Sequence, residues 1–466
     1  MRSIPVLCPT PHVQMLGNRV SVWCPWTALA PLQYRATTMT RDESGHGARQ
    51  VVDHGRPLAG YRVLDLSRAL AGPHCTGLLA DMGADVIKVE DVRGGDETRF
   101  WGPPFLGDDS AYFLSVNRSR RSIAVDLKSV DGLRICLGLA ERADVVVENF
   151  RPGVVARLGL DYASVKAVNP GVVYASISAY GQDGSGSQEP GYDLIVQGTG
   201  GMMSVTGNPD GGPVKAGVAE ADILAGTNAA VAIVGGLLAR ERKRSAGDVI
   251  AEGTFLDVAL FDGQVSLMGY HLVSYQVSGR VPGRSGNRFP FIVPYQAFRA
   301  SDGDFTLAVP NERLWQSFTT VIQRPDLAAD PRYADNGLRV RNRDTLTTDL
   351  ASVLETRTVG EWVSSFRDAG IPCGPINDIG QVASSRYVAE RGLLHEIEHP
   401  AGAVRIPGQP WRTGEVHSRE ANEPPGRPPR HGEHTDEVMV ELGYDTAAIK
   451  RFERAGVIRT DLSGDA

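Results

Sequence analysis

The chain has 466 residues, of which 22% are charged and 42% hydrophobic, the composition of an ordinary globular protein large enough for more than one domain. Its net charge of -7 gives no electrostatic case for nucleic acid binding. We interpret most of the arginine-rich patches, such as 118–121 and 240–244, as solvated helix ends and turns. No apolar run is long and continuous enough to predict a membrane span.

The cysteines and histidines are dispersed. The five cysteines are Cys8, Cys24, Cys75, Cys136 and Cys373, and no two of them form a CxxC pair. This odd, scattered set is typical of a reducing cytoplasm, where buried thiols serve as small core residues. The histidines show no HExxH pattern, so we predict a cytoplasmic protein without a metal site.

Secondary structure is predicted from about residue 57 onwards. Residues 1–56 have no clear periodicity and lack a signal-peptide pattern, so we expect a leader that is disordered or dispensable. Gly72-Pro73 opens a helix that Gly83 ends. Strands are predicted at 62–66, 86–90, 122–127, 145–148, 172–178 and 249–258, and further helices at 130–142, 162–168, 227–239 and 260–277. This alternation predicts an α/β fold with a parallel, doubly wound sheet.

The second half of the chain predicts a smaller unit. Residues 279–288 are rich in Gly, Arg and Pro and indicate a linker. A hairpin around Ser301-Asp302-Gly303 and helices at 343–355 and 359–368 follow. We therefore assign 57–278 to the large domain, 279–375 to the linker and small domain, and 376–466 to a return to the large domain with a C-terminal tail.

Asp222 is the principal candidate for chemistry. It lies between a glycine- and methionine-rich loop, 198–207, and the small-residue apolar run 227–239. A carboxylate at the start of that helix would be kept ionised by free N–H groups and the helix dipole. Beside a glycine loop, such a carboxylate can attack an acyl group. A helix N-cap without catalytic function is the alternative, and these residues alone support it equally.

Several motifs in sequence order resemble one known family. They are GYRVLDLS (60–67), GADVIKVE (83–90), VENFRPG (147–153), PGYDLIVQ (190–197), GGMMSVTG (200–207) and Ala221-Asp222 with Gly226. Together they resemble the class III CoA-transferases, which include the alpha-methylacyl-CoA racemases, from about Leu58 to about Gly443. The resemblance implies a Rossmann-like large domain with a smaller α+β domain, in an interlocked homodimer.

The same resemblance implies a mechanism. Acyl-CoA and a carboxylic acid are the substrates, and no cofactor is needed beyond the CoA thioester itself. The nucleophilic aspartate of the family falls on Asp222, which would form a mixed anhydride and then an aspartyl-CoA thioester. Because each covalent intermediate keeps the acyl-transfer potential, no ATP is required.

The resemblance also assigns CoA or substrate contacts to a wider set of positions. These are Leu70, Ala71, Val125, Asn149, Phe150, Arg157, Tyr192, Asp193, Gly200 and Gly201. Alternatives stay open for four of these assignments. Val125 can be a buried strand residue, Arg157 a surface charge, and the two glycines a tight turn instead of oxyanion donors. Asp193 can orient groups around the nucleophile or cap a helix.

Two departures from the formyl-CoA transferase pattern affect the substrate prediction. Asp91 stands where a CoA-contacting arginine is expected, although Arg93 could substitute. The glycine-rich substrate loop is reduced to residues 279–286, which argues against formate or oxalate as the substrate.

Two other functions compete with CoA transfer. Racemases of the family carry histidine where Tyr192 stands, and a tyrosine of ordinary pKa is a poor base at neutral pH. A CoA-binding protein without turnover is a further alternative. The sequence therefore favours a CoA-transferase.

Overall fold

The computed structural model describes residues 56–412 and 424–460, and also the backbone of two short strands nearer the N-terminus. Those two strands, His12–Leu16 and Arg19–Trp23, pair antiparallel with each other within a separate unit, Met1–Gln50. The rest of the predicted leader lies outside the described residues. All further description concerns the second unit, Val51–Ala466.

The strands are numbered in chain order. They are β1 His12–Leu16, β2 Arg19–Trp23, β3 Arg62–Asp65, β4 Asp85–Asp91, β5 Phe105–Leu106, β6 Asp109–Ser110, β7 Arg121–Val125, β8 Val145–Glu148, β9 Val173–Ser178, β10 Thr254–Ala259, β11 Tyr295–Arg299, β12 Asp304–Ala308, β13 Cys373–Pro375, β14 Leu394–Ile397, β15 Val404–Pro407 and β16 Ile458–Arg459.

The α-helices are numbered in the same way. They are α1 Ala71–Asp81, α2 Ala111–Val116, α3 Val130–Glu141, α4 Val154–Leu158, α5 Tyr162–Val168, α6 Asp193–Thr199, α7 Met202–Val205, α8 Glu220–Ser245, α9 Leu260–Leu267, α10 Gly269–Ser278, α11 Glu312–Val321, α12 Pro325–Ala329, α13 Asn336–Arg341, α14 Arg343–Leu354, α15 Val359–Asp368, α16 Ile379–Ala383, α17 Arg386–Arg391, α18 Thr435–Glu441 and α19 Thr446–Arg454. Two short 3₁₀ helices lie at Glu97–Phe100 and Pro331–Tyr333.

A seven-stranded sheet forms the centre of the fold. Its order is β10-β9-β8-β3-β4-β7-β16, and every pair is parallel except β16 with β7. Strands β8 and β9 are buried along their whole length, because a parallel sheet of this kind is covered on both faces. The predicted α/β class with a mostly parallel sheet is confirmed.

Alternate strand residues face two different cores. On one face Val145 and Val147 pack with α1 and α8. On the other face Val146 packs with α3, α5, α18 and α19. Cys75 lies fully buried in the first core and Cys136 in the second, as expected for small core thiols.

A smaller antiparallel sheet, β11-β12-β13, has a core of its own between Val293 and Ile371. Its aromatic centre includes Phe305, Trp315 and Phe366, all fully buried. Helices α11, α14 and α15 supply six of the other buried side chains of this core, namely Leu314, Phe318, Leu346, Leu350, Leu354 and Trp362.

Helix α8 is longer than its apolar run predicts. It extends past the predicted 227–239 in both directions and ends in the basic residues Arg242, Lys243 and Arg244, which interact favourably with the negative end of the helix dipole. By length and composition α8 could also cross a membrane, but its inner side packs against α1, α9 and the sheet as a core helix does.

Two other predicted elements differ from the structure. The predicted strand 249–258 begins only at Thr254, because Asp248 accepts the N–H groups of Ile250 and Ala251 and holds them in a turn. The predicted helix 260–277 is interrupted at Met268, immediately before Gly269.

The interpretation of the arginine-rich stretches as solvated helix ends is wrong for three residues. Arg118, Arg120 and Arg240 are all buried and paired with carboxylates. The carboxylate partners are themselves buried in the fold, so each would be an uncompensated charge without its arginine.

Candidate active site

Asp222 lies in the first turn of α8. The N-cap position of this helix is Ala219, which offers no side-chain cap. Instead, the carboxylate of Asp193 on α6 accepts the backbone N–H of Ala221 at 2.9 Å. The N-cap alternative for Asp222 is therefore wrong, because another helix provides the cap and the Asp222 side chain stays available.

The ionisation of Asp222 differs from the sequence prediction. Burial, followed by the negative charge of Asp193, raises the pKa of Asp222 to about 7. The expected stabilisation of the ionised form by the helix N-terminus is therefore outweighed by desolvation and a neighbouring carboxylate. Both contributions come from tertiary packing, which the sequence does not display.

Asp193 is buried and held on both carboxylate oxygens. One oxygen accepts the Ala221 N–H, and the other accepts the side-chain amide of Gln197 at 2.8 Å. The carbonyl oxygen of that amide accepts the N–H of Ala216 at 2.8 Å. Asp193 therefore caps a helix, and its negative charge affects Asp222, while its role in orienting groups around the nucleophile stays a prediction.

Tyr112 on α2 is a site residue that the sequence did not indicate. Burial first, and then the charges of Asp222 and Asp193, raise the pKa of Tyr112 to about 12. The phenol therefore remains protonated near both carboxyl groups at neutral pH. No local signal identifies Tyr112, because it is far from Asp222 in sequence and reaches the site through the packing of α2.

Gly200 and Gly201 form the turn between α6 and α7. Gly201 has φ +92°, a conformation that favours glycine. A Cβ on Gly200 would lie 2.2 Å from Cγ of Gln264, which is fully buried on α9. The tight-turn role is thus present, and the oxyanion role stays a prediction. Tyr192, directly before α6, is 62% exposed.

Gly226 brings α8 against the start of α1. A Cβ at this position would lie 2.4 Å from the carbonyl oxygen of Ala71. His74 on α1 is also within hydrogen-bonding distance of Thr227, with 3.3 Å between Nε2 and Oγ1. The helix that carries Asp222 therefore contacts the segment that contains the predicted CoA-binding residues Leu70 and Ala71.

Asn149 fixes the loop before α1. Its side-chain oxygen accepts the N–H of Arg68 at 2.8 Å, and its side-chain nitrogen donates to the carbonyl of Arg68 at 2.7 Å. The next residue, Ala69, has φ +62°, a conformation that costs free energy for a non-glycine residue. Asn149 therefore holds a strained loop in place, which is a structural role that the sequence analysis missed.

A cavity of about 290 Å³ lies where β3, β4 and β7 end. It is lined by the predicted residues Val125 and Phe150, together with Arg68, whose guanidinium carbon lies 4.7 Å from the centre of the Phe150 ring. Among the described residues that line it, α4 contributes Val154 and Leu158 but not Arg157. Arg157 is exposed on the same helix, and its contact with CoA stays a prediction.

Asp91, which departs from the formyl-CoA transferase pattern, interacts with Arg93 in the structure. Asp91 lines the same cavity, and its carboxylate accepts the backbone N–H of Arg93 at 2.9 Å. The guanidinium of Arg93 also lies 3.6 Å from this carboxylate. Arg93 therefore compensates the charge of Asp91 in this structure.

No cluster of three or more His, Cys, Asp or Glu residues suited to a metal ion occurs within 56–412 or 424–460. The polar groups that interact with Asp222 or with the cap of its helix are the Asp193 carboxyl, the Tyr112 phenol and the Gln197 amide. This arrangement is suited to nucleophilic attack by a carboxylate on an acyl group.

A protein-family comparison matches residues 58–435 to CoA-transferase family III. The chain belongs to this family. The match covers most of the chain, as the motifs predicted, and the family has CoA thioesters as substrates. The protein is therefore a CoA-transferase, which moves CoA between an acyl-CoA and a carboxylic acid.

Some similar proteins have names that specify their substrates. The chain is 40% identical over 408 residues to the succinyl-CoA:glutarate CoA-transferase of Mus musculus, covering 87% of this chain and 91% of that protein. It is also 40% identical over 397 residues to the succinate–glutarate CoA-transferase of Agrobacterium fabrum, covering 83% and 96%. A solved CAIB/BAIF family protein from Brucella suis aligns with a TM-score of 0.72 at 38% identity, over 83% of this transferase and 99% of that chain.

Proposed function

We propose that Asp222 is the nucleophile of this CoA-transferase. Its ionised carboxylate attacks the thioester carbonyl of the donor, which forms a mixed anhydride and releases CoA as a thiolate. The thiolate attacks the aspartyl carbonyl, which gives an aspartyl-CoA thioester and the free donor acid. The acceptor carboxylate repeats the two steps in reverse, so that Asp222 is restored and no net proton is consumed.

The observation that carries this proposal is the half-buried carboxyl group of Asp222 in the first turn of α8. A pKa of about 7 leaves a large fraction ionised at neutral pH, and partial desolvation makes that carboxylate a better nucleophile than one in water. The N–H groups of Gly200 and Gly201 donate to the carbonyls of Val196 and Gly198 at 2.7 and 3.4 Å, so the proposed stabilisation of tetrahedral oxyanions would require these bonds to open. Tyr112, still protonated, is a second candidate donor.

We place the CoA nucleotide in the cavity lined by Val125 and Phe150. Arg68 offers a forked cation stacked on an aromatic ring there, which suits a phosphate or an adenine face. The loop held by Asn149 then leads through Leu70 and Ala71 to α1, which contacts α8. This path connects the nucleotide cavity to the helix that carries Asp222.

We propose succinyl-CoA as the donor and a dicarboxylic acid such as glutarate as the acceptor. The support is the names of the two relatives that are 40% identical to the chain along most of its length.

We also propose a homodimer. Helix α10 has no buried residue, and its apolar side chains Leu272, Val273 and Val277 are 43%, 61% and 83% exposed. An apolar helix face of this kind is typical of a subunit interface.

The test combines activity with trapping. Purified protein is given succinyl-CoA and glutarate, and glutaryl-CoA is measured by mass spectrometry. Asp222→Ala should lose transfer while it keeps its fold. With succinyl-CoA and hydroxylamine, the wild type should be inactivated and carry a hydroxamate on Asp222. Asp131→Ala is a matched control, because Asp131 also lies in the first turn of a helix but pairs only with Arg134 there. Full activity in Asp222→Ala would reject the mechanism.

A further inference from the structure

A groove leads away from the Gly200-Gly201 turn. Its first part is a cavity of about 280 Å³, lined by these two glycines and by the side chains of Val205, Met268 and His271. The same three residues line a second cavity of about 370 Å³, whose lining also includes Arg288. The two cavities share these walls and lie side by side, and together they are here called the α7–α10 groove.

The chemistry of the groove changes along its length. Val205 and Met268 provide an apolar wall in the middle. The second cavity adds side-chain hydrogen-bond donors, namely Ser285, Asn287, Arg288 and Tyr295, beside the apolar Phe289 and Pro290. Among the described residues that line the second cavity, none is acidic and Arg288 carries the only permanent charge. Burial lowers the pKa of His271, so its ring is neutral at neutral pH.

Arg288 is anchored through the backbone, while its guanidinium is only weakly engaged. The hydroxyl of Ser285 donates to the carbonyl of Arg288 at 2.8 Å, and Arg343 donates to the carbonyls of Phe289 and Pro290 at 3.3 and 2.8 Å. The guanidinium pairs with Asp344 at 2.8 Å, but the Asp344 side chain is 86% exposed. A pair of this kind contributes little and can be exchanged for a ligand carboxylate.

We infer that Arg288 binds the distal carboxylate of a dicarboxylic substrate whose other carboxyl group reacts at Asp222. This inference rests on the proposed function and specifies how the substrate class is selected. The methylene chain would lie along Val205 and Met268, and the forked guanidinium would pair with both oxygens of the far carboxylate. A monocarboxylic acid of equal length would leave Arg288 without that partner.

The experiment compares glutarate with pentanoate, a five-carbon monocarboxylic acid, as acceptors from succinyl-CoA. Arg288→Gln should raise the KM for glutarate about 10- to 100-fold with little change in kcat, since a charge-assisted hydrogen bond is lost. The KM for pentanoate should stay the same. Arg284→Gln is the matched control, because Arg284 lies in the same segment and donates only to the carbonyls of Asn208, Pro209 and Gly211.

A second variant covers the case in which Arg288→Gln fails to fold. Asp344→Asn removes the competing carboxylate at an exposed position and should lower the KM for glutarate by a few fold, with no effect on pentanoate. If glutarate remains preferred to the same degree in both variants, the inference is wrong while the transfer mechanism stands. If the wild type transfers CoA to no acid, or Asp222→Ala remains active, the proposed function itself fails.

Discussion

The carboxylate of Asp193 accepts the N–H of Ala221 at 2.9 Å, so a residue of α6 caps α8 one position before Asp222. This contact links two motifs that lie almost thirty residues apart. It fixes the position of Asp222 and places a second negative charge beside it. The same carboxylate therefore positions the proposed nucleophile and, after burial, contributes to the raised pKa of Asp222.

Removing the charge of Asp193 should shift the pH dependence of transfer. The ionised form of Asp222 is the nucleophile, so kcat should rise with pH through a midpoint near 7. In Asp193→Asn one source of repulsion is lost, the pKa of Asp222 falls, and the midpoint should move to lower pH. The asparagine oxygen can still accept the Ala221 N–H. The measurement is kcat against pH at saturating substrate. An unchanged midpoint would show that the charge of Asp193 does not affect the pKa of Asp222.

Asp222→Asn should stabilise the protein while it abolishes transfer. The pKa of Asp222 is raised from 3.8 to about 7, so the folded state favours the protonated form. As pH rises above about 4, the unfolded chain ionises first and the folded state loses relative stability, until Asp222 also ionises near pH 7. The asparagine variant avoids this loss, which amounts to at most about 4 kcal/mol above pH 7 at ~1.4 kcal/mol per pKa unit.

Urea unfolding of both proteins at pH 8 and at pH 4 measures this effect. The advantage of Asp222→Asn should be largest at pH 8 and small at pH 4, where the folded wild type is protonated at this site and the unfolded chain is only about half ionised. An equal difference at the two pH values would mean that it does not arise from ionisation of Asp222.

Gly226→Ala should destabilise the contact between α8 and α1. The added Cβ would lie 2.4 Å from the Ala71 carbonyl oxygen, which is backbone and cannot move aside without shifting a helix. We expect a loss of about 1–3 kcal/mol in the free energy of unfolding, as for other overpacked sites. Gly235→Ala on the same helix is the control. No described atom lies within 4 Å of its Cβ position, so it should gain about 0.5–1 kcal/mol from helix propensity. Equal effects at the two positions would contradict this account of Gly226.

Arg157→Ala and Arg68→Ala test the binding of CoA. Phosphate contacts stabilise the ground state and the transition state alike, so both variants should raise the KM for CoA esters more than they lower kcat. The effect of Arg68→Ala should be larger, since Arg68 lines the cavity proposed for the CoA nucleotide and Arg157 is exposed outside it. Arg134→Ala is the control, because Arg134 is an exposed arginine on α3 that pairs with Asp131. A lower kcat with unchanged KM would contradict a binding role for either residue.

The local elements of this fold were predictable, and its tertiary relationships were not. The limits of β8 and α5 agree with the sequence pattern, because each is set by an apolar run and its immediate neighbours. The pKa of Asp222 was predicted in the wrong direction, since burial and Asp193 depend on packing between α6 and α8. Tyr112 was missed for the same reason. The burial of Arg240 depends on Asp144, about a hundred residues away.

Solvent exchange of the alpha proton should separate transfer from racemisation. Racemisation requires a base that removes the alpha proton, and a two-base site exchanges that proton with water. By the resemblance to the family, Tyr192 stands where the racemases carry one of their bases, and its side chain is 62% exposed. Transfer through Asp222 involves only the carbonyl carbon of the substrate.

Incubation of the enzyme with a 2-methylacyl-CoA in heavy water should therefore give no deuterium at the alpha carbon, as measured by mass spectrometry. Under the same conditions, succinyl-CoA and glutarate should yield glutaryl-CoA, which shows that the enzyme is active. Tyr192→His tests whether the absence of a histidine base at this position is the reason that the alpha proton does not exchange. If this variant acquires exchange while the wild type has none, the substitution at this position accounts for the absence of racemisation. Rapid deuterium uptake by the wild type without CoA transfer would instead favour a racemase.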